Sequence, residues 1–259
     1  MRHMRFAAGT KARRQVSAVA SVLAATAAFI FASSDAHAVM RGSSAGGISR
    51  HVVKLVGHNL LCTAVVIGRQ QLLTANHCVE GSGPFYVMAG GKRIAVAGQS
   101  PAGQTTQLTL ASPLPAQFIP IATGSAGGDG TYTIAGYGTA QESARMHSAG
   151  LKQAQLVNDS RYNALVDPRR RGPISASACM GDSGGPVAKY DGRRYVLVGI
   201  VERVSNYAGI GACGFLTHFS SVSGVTNVAS APEGTTRQVS EPRTQRITAK
   251  KRHRQWAAR

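Results

Sequence analysis

The apolar residues of this chain come in short runs, and each run is closed by a turn-forming residue. "HVVKLVG" (51–57), "TAVVIG" (63–68), "QLLTA" (71–75), "FYVMAG" (85–90), "RIAVAG" (93–98), "QLTLAS" (107–112), "TYTIAGYG" (131–138), "KQAQLV" (152–157) and "YVLVGIV" (195–201) are all of strand length, bounded by Gly, Pro, Asn or Asp. A surface helix needs apolar residues recurring every three to four positions over several turns, and no stretch of the chain carries that pattern strongly. The 30 glycines and 10 prolines supply the punctuation between strands. Many short strands at regular spacing imply an all-β sandwich or barrel. A chain of 259 residues, 43% hydrophobic, can bury one large core or two packed halves. The strand count is compatible with two barrels of about six strands each.

The two ends differ from the body. Arg2, Arg5, Lys11, Arg13 and Arg14 precede the apolar run "VSAVASVLAATAAFIFASS" (16–34) and the A-x-A site of "DAHA" (35–38). That order is the pattern of a secretory signal peptide cleaved after Ala38; an uncleaved membrane anchor is the alternative. Residues 1–38 are therefore expected to be a leader, and the mature protein to be secreted or periplasmic. No later segment is long and apolar enough to span a membrane. Export makes disulfides of the four cysteines, with three pairings formally open. Their spacing is not that of a zinc site, and no metal or other cofactor is expected.

The net charge of +18 is spread unevenly. Residues 39–228 hold 16 basic and 8 acidic residues, whereas 229–259 hold eight basic against two acidic. The tail "TAKKRHRQWAAR" is polar, basic and aperiodic, which reads as disorder. It is either a solvated appendage or a segment that adheres to an anionic surface. No recognition fold for nucleic acid is visible.

The chemistry concentrates in two places. "ACMGDSGGP" (178–186) sets Ser183 between an aspartate and two glycines, and "LLTANHC" (72–78) sets His77 beside Cys78. A serine hydroxyl is a weak nucleophile at neutral pH and needs an adjacent base. Imidazole titrates near the working pH and is the natural candidate. Either motif alone is more simply a turn or a structural histidine. Together with "IAGYGT" (134–139), "VGIV" (198–201) and "CGFLTH" (213–218), in that order along the chain, they make the sequence resemble the chymotrypsin/trypsin-like serine peptidases.

The resemblance covers most of residues 39–222 and carries definite expectations. The fold should be two six-stranded antiparallel barrels with the site in the cleft between them. Ser183 should be the nucleophile and His77 the base. The amides of Gly181 and Ser183 should form an oxyanion hole, with glycine at 181 so that no side chain crowds the substrate. Disulfides should join Cys62 to Cys78 and Cys179 to Cys213. The Val39 amine, freed by leader removal, should pair with Asp182. Substrates should be proteins or peptides.

The sequence also departs from the family. The third catalytic position, an aspartate opening a strand, falls on Gln104 of "QTTQLTLASPLP" (104–115), and no acidic residue stands between Glu80 and Asp129. An amide in place of that aspartate costs about 10⁴ in turnover in the well-studied triad. Glu202, in "GIVERV" (199–204), occupies a position where the family carries a serine beside the catalytic aspartate. Glu202 is expected to supply the missing carboxylate, with Gln104 hydrogen-bonded to it. The alternative is a glutamate facing solvent beside Arg203, and a chain that keeps the fold as a catalytically weak or inactive binding module. Ser177 aligns with the base of the specificity pocket and Val204 with its wall, which suggests small or medium apolar side chains before the scissile bond. Arg203, where the family places an aromatic residue, suggests an acidic residue further along the substrate.

Overall fold

The computed structural model describes residues 39–81, 83–125, 129–139, 150–169, 175–205 and 213–222. The expected leader, 1–38, and basic tail, 229–259, lie outside them. Fourteen strands run in chain order among the described residues: β1 (Ser43–Ser44), β2 (Val52–Gly57), β3 (Leu60–Val66), β4 (Gln71–Ala75), β5 (Tyr86–Ala89), β6 (Lys92–Ala102), β7 (Thr105–Leu110), β8 (Ala122–Thr123), β9 (Thr131–Gly136), β10 (Lys152–Asp159), β11 (Ala164–Val166), β12 (Pro186–Tyr190), β13 (Tyr195–Ser205) and β14 (Leu216–Ser221). Two single 3₁₀ turns, Gly47–His51 and Asn76–Cys78, are the helical elements among the described residues. No helix there is long and apolar enough to cross a membrane.

The strands close into two antiparallel six-stranded barrels. The first runs β2-β3-β4-β7-β6-β5 and returns to β2. The second runs β9-β10-β11-β14-β13-β12 and returns to β9. Closure leaves neither ring with a free edge strand. β1 adds to β10, and β8 lies parallel to β13. All nine runs picked out by apolar content are strands.

Each barrel has its own apolar filling. Val52, Leu55, Val65, Leu73 and Leu108 belong to the first core, and Tyr132, Ile134, Leu156, Leu165 and Val198 to the second. Ala135, Ala188, Leu197 and Ile200 of the second barrel pack into the first barrel's cluster, so the two rings share a dry seam.

Polar bonds cross that seam as well, and Thr63 is their hub. It is fully buried at the middle of β3. Its hydroxyl donates to the Gly181 carbonyl at 2.9 Å and accepts from the Tyr137 amide at 3.0 Å. Its amide donates to the Ser183 carbonyl, and its carbonyl accepts from the Thr74 hydroxyl, both at 2.9 Å. Buried polar groups left without partners cost about 1–3 kcal/mol each. Thr63→Val keeps the shape but strands the Tyr137 amide, so we expect Tm to fall by about 2–10 °C. A calorimetric scan showing Tm within a degree of wild type would mean the seam does not depend on this hydroxyl.

Candidate active site

The two motifs meet at the seam. His77 sits on the turn Asn76–Cys78 that follows β4 of the first barrel, and Ser183 on the loop before β12 of the second. The disulfide Cys62–Cys78 ties the histidine turn to β3, and Cys179–Cys213 braces the serine loop. Closing a loop of 16 residues, as the first does, is worth about 3 kcal/mol in chain entropy. Cys62, His77 and Cys78 place donor atoms within 4.8 Å of one another, a spacing compatible with a metal. Both sulfurs are consumed by bonding to each other, so only the imidazole remains as a donor.

The glycines of "GDSGGP" answer to backbone geometry. Gly181 has φ +95 and Gly184 φ +83, in the region that only glycine enters freely. A Cβ at 181 would stand 2.9 Å from the Gly138 Cα, so crowding comes from the protein's own backbone rather than from the substrate expected in that place. A Cβ at 184 would collide with the Thr63 carbonyl and the Thr74 hydroxyl. Neither the Gly181 nor the Ser183 amide has an acceptor among the described residues. Two free N–H groups on one tight loop can receive developing negative charge.

Asp182 holds this loop from beneath. It is 1% exposed. Oδ1 accepts from the Gly138 amide at 2.7 Å and Oδ2 from the Cys179 amide at 2.8 Å, and the Val39 N–H also donates to the carboxylate. A Cβ at Gly138 would lie 2.6 Å from the Asp182 carboxyl carbon, and one at Gly136 would overlap Oδ1. The glycines of "IAGYGT" thus make room for this carboxylate. Burial pushes its pKa up to about 7, against the three N–H bonds that pull it down. Val39 is fully buried at φ +54, a strained conformation for a β-branched residue.

Glu202 faces the histidine. Its Oε2 lies 3.7 Å from His77 Nδ1, an ion-pair contact longer than a hydrogen bond. The contact owes its direction to a β-bulge. Val201 pairs with Phe219 and Arg203 with His218, leaving Glu202 as the extra residue of β13. Bulges re-aim side chains in this way. The Glu202 carboxylate raises the His77 pKa above its ordinary value, partial burial opposes this, and Glu80 adds a smaller upward pull. Glu202 Oε1 is buried without a hydrogen-bond partner among the described residues. The Ser183 hydroxyl donates to the Glu202 carbonyl oxygen at 3.2 Å.

The expected bond between Gln104 and Glu202 is not formed. Gln104 lies exposed in the β6–β7 turn, where a solvated amide costs nothing, and Glu202 Oε1 is unpartnered. Asn76, which the sequence reading did not single out, ties the histidine turn to that hairpin instead. Its Nδ2 donates to the Gly103 carbonyl at 3.2 Å, and its Oδ1 accepts from the Thr106 hydroxyl at 2.8 Å. An amide carries its donor and its acceptor on separate atoms, so it can serve both partners at once.

Around the specificity region, Ser177 is fully buried. Its hydroxyl donates to the Ala178 carbonyl and accepts from the Gly214 amide, both at 2.9 Å. Its hydroxyl proton is therefore already engaged and is not offered to a bound side chain. Val204 is half-buried and packs against the second core, and Arg203 is exposed. Residues 206–212 lie outside the described residues.

Comparison with known proteins agrees with this geometry. The chain matches the family described as Trypsin over residues 39–226. A protein named "Trypsin-like protease" from Streptomyces glaucescens is 31% identical over 189 residues, covering 61% of this chain and 70% of that protein. Two closed barrels, a glycine-cradled serine loop and a histidine turn at their seam, joined to a match across most of the chain, place this protein in the trypsin family.

Proposed function

We propose that the protein is a secreted or periplasmic serine endopeptidase that hydrolyses peptide bonds in proteins or peptides, with Glu202 as the acid of its triad. The observation that carries this reading is the presentation of His77 Nδ1 to the Glu202 carboxylate at 3.7 Å. With Nδ1 turned to the acid, Nε2 is the ring nitrogen left to take a proton from Ser183. The Ser183 hydroxyl leaves the Glu202 carbonyl, transfers its proton to Nε2 and attacks the peptide carbonyl. The oxyanion is received by the Gly181 and Ser183 amides. His77 then returns the proton to the leaving amine, and water repeats the cycle on the acyl-enzyme. Glu202 stabilises the imidazolium that forms in both halves, which an amide cannot do. No metal or organic cofactor enters the sequence of steps.

Maturation by removal of residues 1–38 fits the same reading. A cut after Ala38 turns the buried Val39 N–H at Asp182 into an ammonium, which supplies the counter-charge a sealed carboxylate lacks. It also removes the φ strain at Val39, since a first residue has no φ. The absence of a carboxylate at position 177, with Val204 at the position the family gives to the pocket wall, favours small or medium apolar side chains before the scissile bond. The basic tail, 229–259, would hold the enzyme on an anionic surface.

Glu202→Gln should lower kcat at least a hundredfold with KM little changed, because the carboxylate acts on charge that develops after binding. The base must be neutral to work, so wild-type activity falls as pH drops through the raised His77 pKa. In the variant that acid limb should shift to lower pH. Steady-state kinetics across pH tests both, and an unchanged kcat would remove Glu202 from the mechanism. A fluorophosphonate should label Ser183 in the wild type.

Before cleavage, Asp182 titrates near 7 in the fold and near 3.8 when unfolded. The folded state then binds the extra proton between these values, so stability falls as pH rises through that window. Urea melts should find the uncleaved chain more stable at pH 5 than at pH 8, with the loss abolished in Asp182→Asn. Equal pH dependence in the two proteins would contradict the assignment.

A further inference from the structure

A second cleft, of about 510 Å³, opens at the seam between the barrels, lined from both sides by cationic and aromatic side chains. Arg50 and His51 reach it from the turn Gly47–His51, and Tyr190, Arg193, Arg194 and Tyr195 from the β12–β13 hairpin. It is remote from the catalytic groups. Tyr195 opens β13 and Glu202 stands seven residues along the same strand, roughly 20 Å at strand rise.

The cleft is built rather than merely decorated. His51 is only 9% exposed, and its Nδ1 meets the Ile119 carbonyl at 2.8 Å. A carbonyl only accepts, so Nδ1 carries the proton. Nε2 is left without a hydrogen-bond partner among the described residues. The hairpin is fixed by Asp191, whose Oδ1 accepts from the amides of both Arg193 and Arg194 at 2.9 Å. Asp191 also reaches the Arg194 guanidinium at 3.5 Å and partly neutralises it. Arg50 and Arg193, one from each side of the seam, have no carboxylate partner among the described residues. Tyr190 is 57% exposed, one of the few large hydrophobic side chains turned to solvent, and lies 5.2 Å from the Tyr195 ring.

A carboxylate would be saturated by one guanidinium fork. Two unpaired guanidinium groups on opposed walls suit an anion with acceptor oxygens on several sides, and an open aromatic face beside them suits a ring. We propose that this cleft binds a phosphate or sulfate monoester carried on a ring, with Arg50 and Arg193 clasping the oxyanion across the seam and Tyr190 packing on the ring. The ligand bridges the two barrels from the side away from Ser183 and does not compete with peptide substrate.

Isothermal titration of the full chain with phenyl phosphate and, separately, phenyl sulfate tests this, with phenol and inorganic phosphate as controls. At least one ester should bind with one site per chain, more tightly than either control, and the stronger arm identifies the oxyanion. Arg50→Gln combined with Arg193→Gln should weaken binding at least tenfold, and Tyr190→Ala severalfold. All three side chains are exposed, so the variants should keep wild-type melting and peptide hydrolysis. Absence of binding by both esters at millimolar concentration overturns the proposal. So does undiminished affinity in the double arginine variant, which would put the anion on the basic tail or elsewhere. Undiminished affinity in Tyr190→Ala would overturn the ring platform.

Discussion

A carboxylate sealed away from water is the constraint around which the serine loop is built. Asp182 cannot be solvated, so backbone N–H groups from three separate segments converge on it. Those bonds fix residues 179–183 against the 136–139 strand end and the chain near Val39. The glycines at 136 and 138 let the segments approach, and the positive φ at Gly181 lets the loop turn. Thr63 then pins the same loop to the other barrel. The free amides of Gly181 and Ser183 follow from this arrangement: the neighbouring groups are tied down and these two are left without acceptors among the described residues.

On the proposed mechanism, the acid is the part that has moved. The β6–β7 hairpin, where the family carries its aspartate, ends here in an exposed Gln104 and is fastened by Asn76 and Thr106. On that mechanism, fastening and charge stabilisation, which one aspartate combines elsewhere, are separated in this chain. Asn76 holds the histidine turn, and on the proposed mechanism Glu202 supplies the charge. The longer glutamate side chain, aimed by a bulge in β13, reaches toward His77 from the second barrel. On the proposed mechanism, the 3.7 Å contact lets the carboxylate tighten on the ring once it becomes cationic.

Much of the fold was legible in the sequence because its strands are half-buried runs between turns. The strands that escaped had physical reasons to do so. β1, β8 and β11 are two or three residues long, too short for any periodicity. β12 begins at Pro186 and follows a glycine turn, and β14 mixes Thr, His and Ser among its apolar residues. The serine and histidine were legible from local motifs, since backbone geometry around each demands particular neighbours. The direction of Glu202 was only partly so, because a bulge depends on pairing with β14, which lies outside the local sequence. Gln104 was misjudged for a related reason: alignment gives a position along the strand but not which way a turn residue points. Asn76 passed unnoticed because its partners, Gly103 and Thr106, are about 30 residues away.

The central claim is that Glu202 sets the state of the His77 ring, and ¹⁵N NMR of that ring tests it most directly. With the carboxylate at Nδ1, the neutral ring should carry its proton on Nδ1 and leave Nε2 as the lone-pair nitrogen; Glu202→Gln should lose that preference. A ring protonated on Nε2 in the wild type, or a tautomer indifferent to the substitution, would contradict the account.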